Sequence, residues 1–354
     1  MIKVYFFYFN KNKYYSSYPI INNLKILFDN KDFFRQNNIE ITPFINFIDE
    51  LDKNIMMADE EIEKLDEFMR KSMEKICEEL CEVVLMYERV IFLCFHPKAL
   101  DPVIKKYDFL GGFGNIFVIL WQDDLQAFYK NGERIKKLDY CDLIITPSPV
   151  YFENIAPEML KKTKFLFYSM DFNFIKECNI PFWQRYDKIL LSGCVNHKYK
   201  IRKQIFDEIS SKKMDSFVKY LEKPKQKEYN YDNEVLPLGI NYYKILSQYK
   251  GAFFGYYDYP MNFNLAKIIE ILAVGCIGFF EESPLLEKEL GLIAYRHYIP
   301  CTKDGRLITK KKYYMYFMGE IGEQIAKQGR RYVMENYSNE VGLERYKELL
   351  LGIK

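Results

Sequence analysis

Histidine is scarce in this chain, with three residues in 354. A zinc site of mixed Cys and His ligands needs both types at short spacing. None of the eight cysteines (Cys77, Cys81, Cys94, Cys141, Cys178, Cys194, Cys276 and Cys301) falls in a CxxC pair, so no metal site is expected. Cys94 and Cys276 lie inside apolar runs, where a thiol serves as a small core residue. Reduced thiols of this kind fit a cytoplasmic protein. Net charge is lacking too: 51 Lys and Arg face 49 Asp and Glu. Without a net basic field the chain is not expected to take nucleic acid as its main partner, although a local basic patch is compatible with that balance. No apolar run approaches the ~20 residues of a membrane helix, so no transmembrane segment is expected and any membrane contact is peripheral. The opening MIKVYFFYFNKNK has neither the long apolar region nor the small-residue cleavage site of a secretory leader.

What the chain does have is apolar and aromatic residues, 49% and 17%, enough for a globular protein of about two domains. Strand-length apolar runs alternate with helical periods. Ile2 to Phe9, Ile39 to Phe47 (broken at Pro43), Val90 to Phe95, Ile116 to Leu120, Leu143 to Thr146 and Phe165 to Tyr168 read as strands. Ile20 to Asn30 and Ala58 to Arg89 read as helices. A second series begins after Trp183, with strands at Lys188 to Leu191 and Ala252 to Gly255. Helices follow at HKYKIRKQIF, Gly239 to Tyr249 and through the tail from Gly319 to Leu351, with a break near Ser338. This alternation predicts an α/β protein with doubly wound parallel sheets covered by helices on both faces. Ligands of such sheets bind at the carboxyl ends of strands, which puts His96, Asp123, Asp124, Ser148 and Asp171 on one candidate rim.

The stretch NFNLAKIIEILAVGCIGFFE, residues 262–281, organises the second series. Asn264 is the expected N-cap. Ile268, Ile271 and Leu272 share one helical face, Gly275 supplies a left-handed C-cap, and Ile277 to Phe280 forms a buried strand. Lys267 and Glu270, three apart, are neighbours on the helix. A cation near a helix N-terminus suits a phosphate, and a carboxylate one turn deeper can accept two hydroxyl hydrogens of a sugar. The alternative is an exposed ion pair. The Ser192-Gly193 turn between a strand and a helix offers backbone N–H groups to a second phosphate contact, with Arg202 adding a fork of donors. The alternative there is an ordinary βα turn. Asp123 and Asp124 are adjacent on an extended segment and point opposite ways, a poor metal pair, though one of them could touch an acceptor hydroxyl. Gly111-Gly112-Phe113-Gly114 precedes a strand instead of following one, so it fails as a dinucleotide fingerprint.

In order along the chain, LSGCVNHKYKIR (191–202), AKIIEILAVGCIGFF (266–280), LGLIAYRHYIP (290–300) and YSNEVGLERYKELL (337–350) resemble the group 1 glycosyltransferases of GT-B fold, in particular their spore-coat-maturation (CgeB-like) branch. LWQDD (120–124) and CDLIITPSPVYF (141–152) extend the likeness into the first half. The resemblance implies two Rossmann-like domains: an acceptor-binding one over 1–171 and a nucleotide-sugar-binding one over 172–335, with a terminal helix over 336–354 packing back on the first. It implies transfer of a sugar from a UDP or GDP donor to a hydroxyl acceptor on a glycan, protein or small molecule, with retention and with neither metal nor other cofactor. Arg202 and Lys267 then match diphosphate-binding positions, Glu270 the ribose-binding glutamate, and His96 a strand-end histidine near the donor sugar. Asn262 stands where many group 1 enzymes carry a further glutamate, so Asn262 and Asn264 become the donor-sugar candidates. Should transfer invert, His96, Asp123 and Asp124 are the candidate bases. Two other readings fit the same fold, a nucleotide-sugar epimerase and a catalytically silent sugar- or nucleotide-binding protein.

Overall fold

The computed structural model describes residues 1–7, 18–44, 59–95, 100–121, 132–193, 195–214, 216–221, 239–256 and 266–353. The chain divides into two compact units, one made of Met1–Lys11, Leu24–Leu166 and Leu343–Lys354, the other of Asn12–Asn23 and Phe167–Gly342.

The first unit is built on six parallel strands, β1 (Ile2–Phe7), β2 (Ile39–Phe44), β3 (Arg89–Cys94), β4 (Ile116–Trp121), β5 (Leu143–Thr146) and β6 (Thr163–Phe165), in the order β2-β1-β3-β4-β5-β6. The central strand, β3, is buried from Val90 to Cys94, as a strand covered on both faces must be. Pro43 sits within edge strand β2, where a missing N–H costs the ladder least. Helices α1 (Tyr18–Asp29) and α2 (Asp59–Met86) follow β1 and β2. The strand expected at Phe165 to Tyr168 falls earlier, at Thr163–Phe165. Phe167 and Tyr168 are buried by ring packing, Phe167 edge-on to Tyr337 at 5.7 Å, and not by strand pairing.

The second unit carries β7 (Tyr186–Ser192), β8 (Val218–Leu221), β9 (Tyr249–Phe254), β10 (Ile277–Phe280) and β11 (Ile299–Pro300), all parallel, in the order β11-β10-β9-β7-β8. Its longer helices are α3 (Lys200–Ser210), α4 (Gly239–Leu246), α5 (Lys267–Ala273), α6 (Lys311–Tyr316), α7 (Glu320–Tyr337) and α8 (Asn339–Leu351), the last continuing into the first unit. After β8 the chain crosses back to lay β9 on the other side of β7. The sheet therefore reverses its winding between β7 and β9, the place where ligands of open α/β sheets bind.

Helix α5 begins at Lys267, with Ala266 in the cap position and no side-chain cap there. The N-cap expected at Asn264 is thus displaced, and Asn264 itself lies outside the described residues. The other end matches expectation. Gly275 has φ +76°. Its N–H bonds to Leu272 O at 2.9 Å, and the Cys276 N–H to Ile271 O at 3.2 Å, a Schellman closure that only glycine makes without strain. Arg185, 7% exposed, satisfies the carbonyls left over: its guanidinium donates to Val274 O at 3.0 Å and Gly275 O at 2.8 Å. Among the described residues the cysteines are free thiols, and Cys276 is buried against that guanidinium.

Helix α7 lies over α5 and β10. The approach is close because Gly329 has no side chain; a Cβ there would stand 2.6 Å from His297 O. His297 is buried beneath it, stacked on Tyr332 at 4.4 Å, with Nδ1 accepting from Ile293 N at 3.2 Å. Burial, aided by the neighbouring Arg296, pushes its pKa down to about 4. The imidazole is therefore neutral in the fold and charged in the unfolded chain. Stability is complete above the unfolded pKa of about 6.5 and drains away as pH falls towards about 4. Urea unfolding of the full chain between pH 7 and pH 4 should show this loss, at most ~3 kcal/mol from this residue. His297→Gln should flatten that limb; an unchanged slope would mean that other groups carry it.

Candidate functional site

The carboxyl end of β7 supplies Ser192 and Gly193, and the carboxyl end of β9 leads into Gly255 and Tyr256. Arg202, in the first turn of α3, lies between them and is 6% exposed. Gly193 has φ +98°, and a Cβ on it would meet Arg202 Nη1 at 3.1 Å. A Cβ on Gly255 would stand 3.5 Å from Arg202 Cγ and 3.3 Å from Glu281 Oε2. The two glycines leave room for the arginine at the switch point. Tyr199 covers the guanidinium at 4.0 Å from its ring centre, with the Phe254 ring 5.9 Å away. Glu281, just past β10, accepts from Tyr256 N at 2.8 Å and fixes the turn after β9.

Lys267 reaches the same turn through Tyr242 of α4. The Tyr242 hydroxyl lies 3.0 Å from Ser192 Oγ, and Lys267 Nζ sits 3.7 Å from the Tyr242 ring centre. Lys267 Nζ is also 3.1 Å from Glu270 Oε2, and Tyr243 donates to Glu270 Oε1 at 2.8 Å. Glu270 is 1% exposed. The simple exposed ion pair is therefore wrong for this helix: the carboxylate is buried, and only Lys267 keeps part of its side chain, 22%, at the surface. Burial lowers the Lys267 pKa, but Glu270 and Tyr242 more than offset this and hold it above its ordinary value. Two cations, Arg202 and Lys267, and two carboxylates, Glu270 and Glu281, thus surround the turns after β7 and β9. Such a group can grip an anion and, beside it, hydroxyl groups.

Of the residues singled out in the sequence, Ser192, Gly193, Arg202, Lys267 and Glu270 are brought together. His96, Asp123, Asp124, Asn262 and Asn264 lie outside the described residues. Ser148 and Asp171 make local contacts. Ser148 N donates to Thr146 Oγ1 at 3.3 Å, and Asp171 accepts from Asn173 N and Phe174 N at 2.8 and 3.1 Å. Among the described residues no three His, Cys, Asp or Glu side chains are grouped as a metal would need. Tyr242 and Tyr243, adjacent on α4, bridge to Ser192 and Glu270 respectively, and no sequence motif singles them out.

The sequence matches no protein-family profile and no curated protein. The structure does resemble solved ones. An alpha-glucosyltransferase in complex with UDP and a 13-mer DNA superposes with a TM-score of 0.57 at 11% identity, over 99% of both chains. A glycosyltransferase from Rickettsia africae ESF-5 gives 0.55 at 10% identity, over 99% of this chain and 98% of that one. The alpha-glucosyltransferase bound to UDP-glucose and DNA with an abasic site gives 0.54 at 10% identity, over the same shares. The fold is GT-B. At such identity the likeness concerns the fold; the alternation of strands and helices predicted the parallel sheets, and the resemblance to group 1 glycosyltransferases implied GT-B.

The burial of Glu270 carries a stability prediction. Lys267→Met leaves a buried carboxylate without its cation and should cost about 2–3 kcal/mol in urea unfolding, against under ~1 for an exposed pair. Adding Glu270→Gln should recover most of that loss. A single-variant cost near zero would mean that the Lys267–Glu270 pair does not stabilise the fold.

Proposed function

We propose that this protein is a glycosyltransferase that takes its sugar from a nucleoside diphosphate donor, with the donor held in the second unit. The observation that carries the reading is the meeting of Arg202, the Ser192-Gly193 turn, Lys267 and Glu270 at the carboxyl-end switch point between β7 and β9. In this reading Arg202 and Lys267 hold the diphosphate, the Gly193 backbone approaches it closely, and Glu270 accepts from the ribose hydroxyls. Departure of the nucleoside diphosphate concentrates negative charge on its oxygens. Fixed cations already in place stabilise that charge without reorganising, so the step as proposed needs no metal. UDP is the favoured nucleotide, because it is the one bound in the similar structures. The motif order in the second half supports placement beside the group 1 enzymes and their spore-coat-maturation branch, and with it retention at the anomeric carbon. The acceptor is a hydroxyl compound that the first unit would bind; on sequence alone its contact is assigned to Asp123 or Asp124, and donor-sugar contacts to His96, Asn262 and Asn264, with His96, Asp123 and Asp124 the candidate bases should transfer invert.

Calorimetric titration tests the site. A hydrogen bond to a charged group contributes about 1.5–3 kcal/mol, roughly 10- to 100-fold in affinity. Arg202→Gln should weaken UDP by that factor and leave uridine unchanged, whereas Glu270→Gln should weaken both. Wild-type affinity for UDP in both variants would remove the donor from this site. Release of UDP from UDP-sugars, measured with and without sugar or glycan acceptors, tests the activity. Binding without acceptor-dependent release would mark a silent binding protein; a changed sugar on an intact nucleotide would mark an epimerase.

A further inference from the structure

Helix α6 carries two unlike faces. Tyr314, Phe317 and Met318 turn inwards and are buried against Phe217, Phe253 and Phe279 or their neighbours. The opposite side presents Lys310, Lys311, Lys312, Met315 and Tyr316 to solvent, Tyr316 at 64% exposure. The turn before β11 lies beside it: the Tyr295 ring is 6.5 Å from Phe317, and its hydroxyl 3.5 Å from that of Tyr313. That turn adds Tyr295 and Ile293, 56% and 41% exposed, and the exposed Arg296. Between the two runs the hairpin of Thr302–Lys303 and Arg306–Leu307, exposing Lys303 and Arg306. Residues 303–312 hold five basic side chains against the single Asp304. Lys311 donates to Ser216 Oγ, which brings the loop of exposed Lys212 and Lys213 alongside. Acids border the face as well: Asp215 precedes Ser216 and Glu289 stands four residues before Ile293 in the sequence, Glu282 acts on Tyr313, and Glu320 and Glu323 open α7. In a chain with almost no net charge, residues 303–316 thus carry a local excess of cations, among exposed aromatic and aliphatic side chains.

We propose that this face, formed by α6, the hairpin before it and the turn at Ile293–Arg296, docks the protein on an anionic lipid bilayer. The charge complementarity names the partner. Basic residues close to an anionic leaflet are attracted to it additively and in a salt-dependent way. Tyrosine rings settle at the headgroup level, where one end is apolar and the other wet. Ile293 and Met315 decide between a bilayer and a nucleic acid, since aliphatic side chains gain from the acyl boundary and nothing from a phosphate backbone. The inward face of α6 is fixed in the core, so the helix lies flat and offers the other face. One such patch, without a lipid anchor, gives weak and reversible attachment. The inference does not depend on the proposed donor site, whose residues it does not use.

Co-sedimentation of the full chain with vesicles tests it. Binding is expected to phosphatidylcholine vesicles containing about 30% phosphatidylglycerol, not to pure phosphatidylcholine, and it should fall as salt rises. Lys310→Gln with Lys312→Gln removes two exposed cations at about fivefold each, a loss of roughly 30-fold in partitioning with an unchanged melting temperature. Tyr316→Ser should weaken binding while leaving its salt dependence in place. No binding to the anionic vesicles, equal binding by the double variant, or equal binding to both vesicle types would each overturn the proposal. A single-stranded oligonucleotide held by the same lysines and not displaced by vesicles would also overturn it and mark a nucleic-acid surface.

Discussion

Glu270 is a carboxylate at 1% exposure in a helix whose other residues, Lys267 apart, are apolar, and burying such a charge is costly unless counter-charge and hydrogen bonds accompany it. Tyr243 and Lys267 supply these. Each is then constrained by its own position. Tyr243 lies in α4, which ties that helix to α5. Lys267 is stacked on Tyr242, and Tyr242 is bonded to Ser192 at the end of β7. One buried charge thus fixes the mutual placement of two helices and a strand end. Replacing the group by apolar residues of similar volume would give a fold at least as stable, so stability alone does not account for it.

The far end of α5 is held as firmly. Its last carbonyls are closed by the turn at Gly275 and by the Arg185 guanidinium. With its C-terminus fixed there and its first turn fixed through Lys267 and Glu270, the helix has little freedom to slide against β9 and β10. The switch point between β7 and β9 supplies the remaining geometry, since adjacent helices diverge there and leave a crevice. Arg202 passes close to Gly193, where a Cβ would crowd its Nη1 at 3.1 Å as well as strain a φ of +98°.

The architecture was largely legible in the sequence. Parallel strands buried on both faces read as continuous apolar runs, and RVIFLC and IGFF are such runs. Gly275 identified its own left-handed turn, and Ser338 the break between α7 and α8. The elements that were not legible are the short ones. Val218–Leu221 and Ile299–Pro300 are strands because neighbours pair with them, and two to four residues carry no periodicity of their own. The candidate site was half legible. Spacing showed that Lys267 and Glu270 meet, yet burial is a property of the surrounding layers, so the pattern read equally well as an exposed pair. The tyrosines that connect Lys267 and Glu270 to β7 and α4 are long-range contacts, across 50 residues for Ser192 and Tyr242 and 27 for Tyr243 and Glu270, and no local pattern encodes them.

The two cations of the site differ in a way that bears on how it would receive an anion. Lys267 already faces a carboxylate at 3.1 Å, so much of its charge is compensated, and an arriving phosphate must share it. Arg202 lies against the faces of Tyr199 and Phe254, which shield it from water. A guanidinium offers a fork of donors that suits two oxygens of one anion, in surroundings of low dielectric where charge–charge attraction is stronger than in water. Lys267, anchored by Glu270 and Tyr242, would fix where the anion sits relative to a hydroxyl-accepting carboxylate. The two cations thus meet the glycine turn in different surroundings, one between aromatic rings and the other on a buried carboxylate.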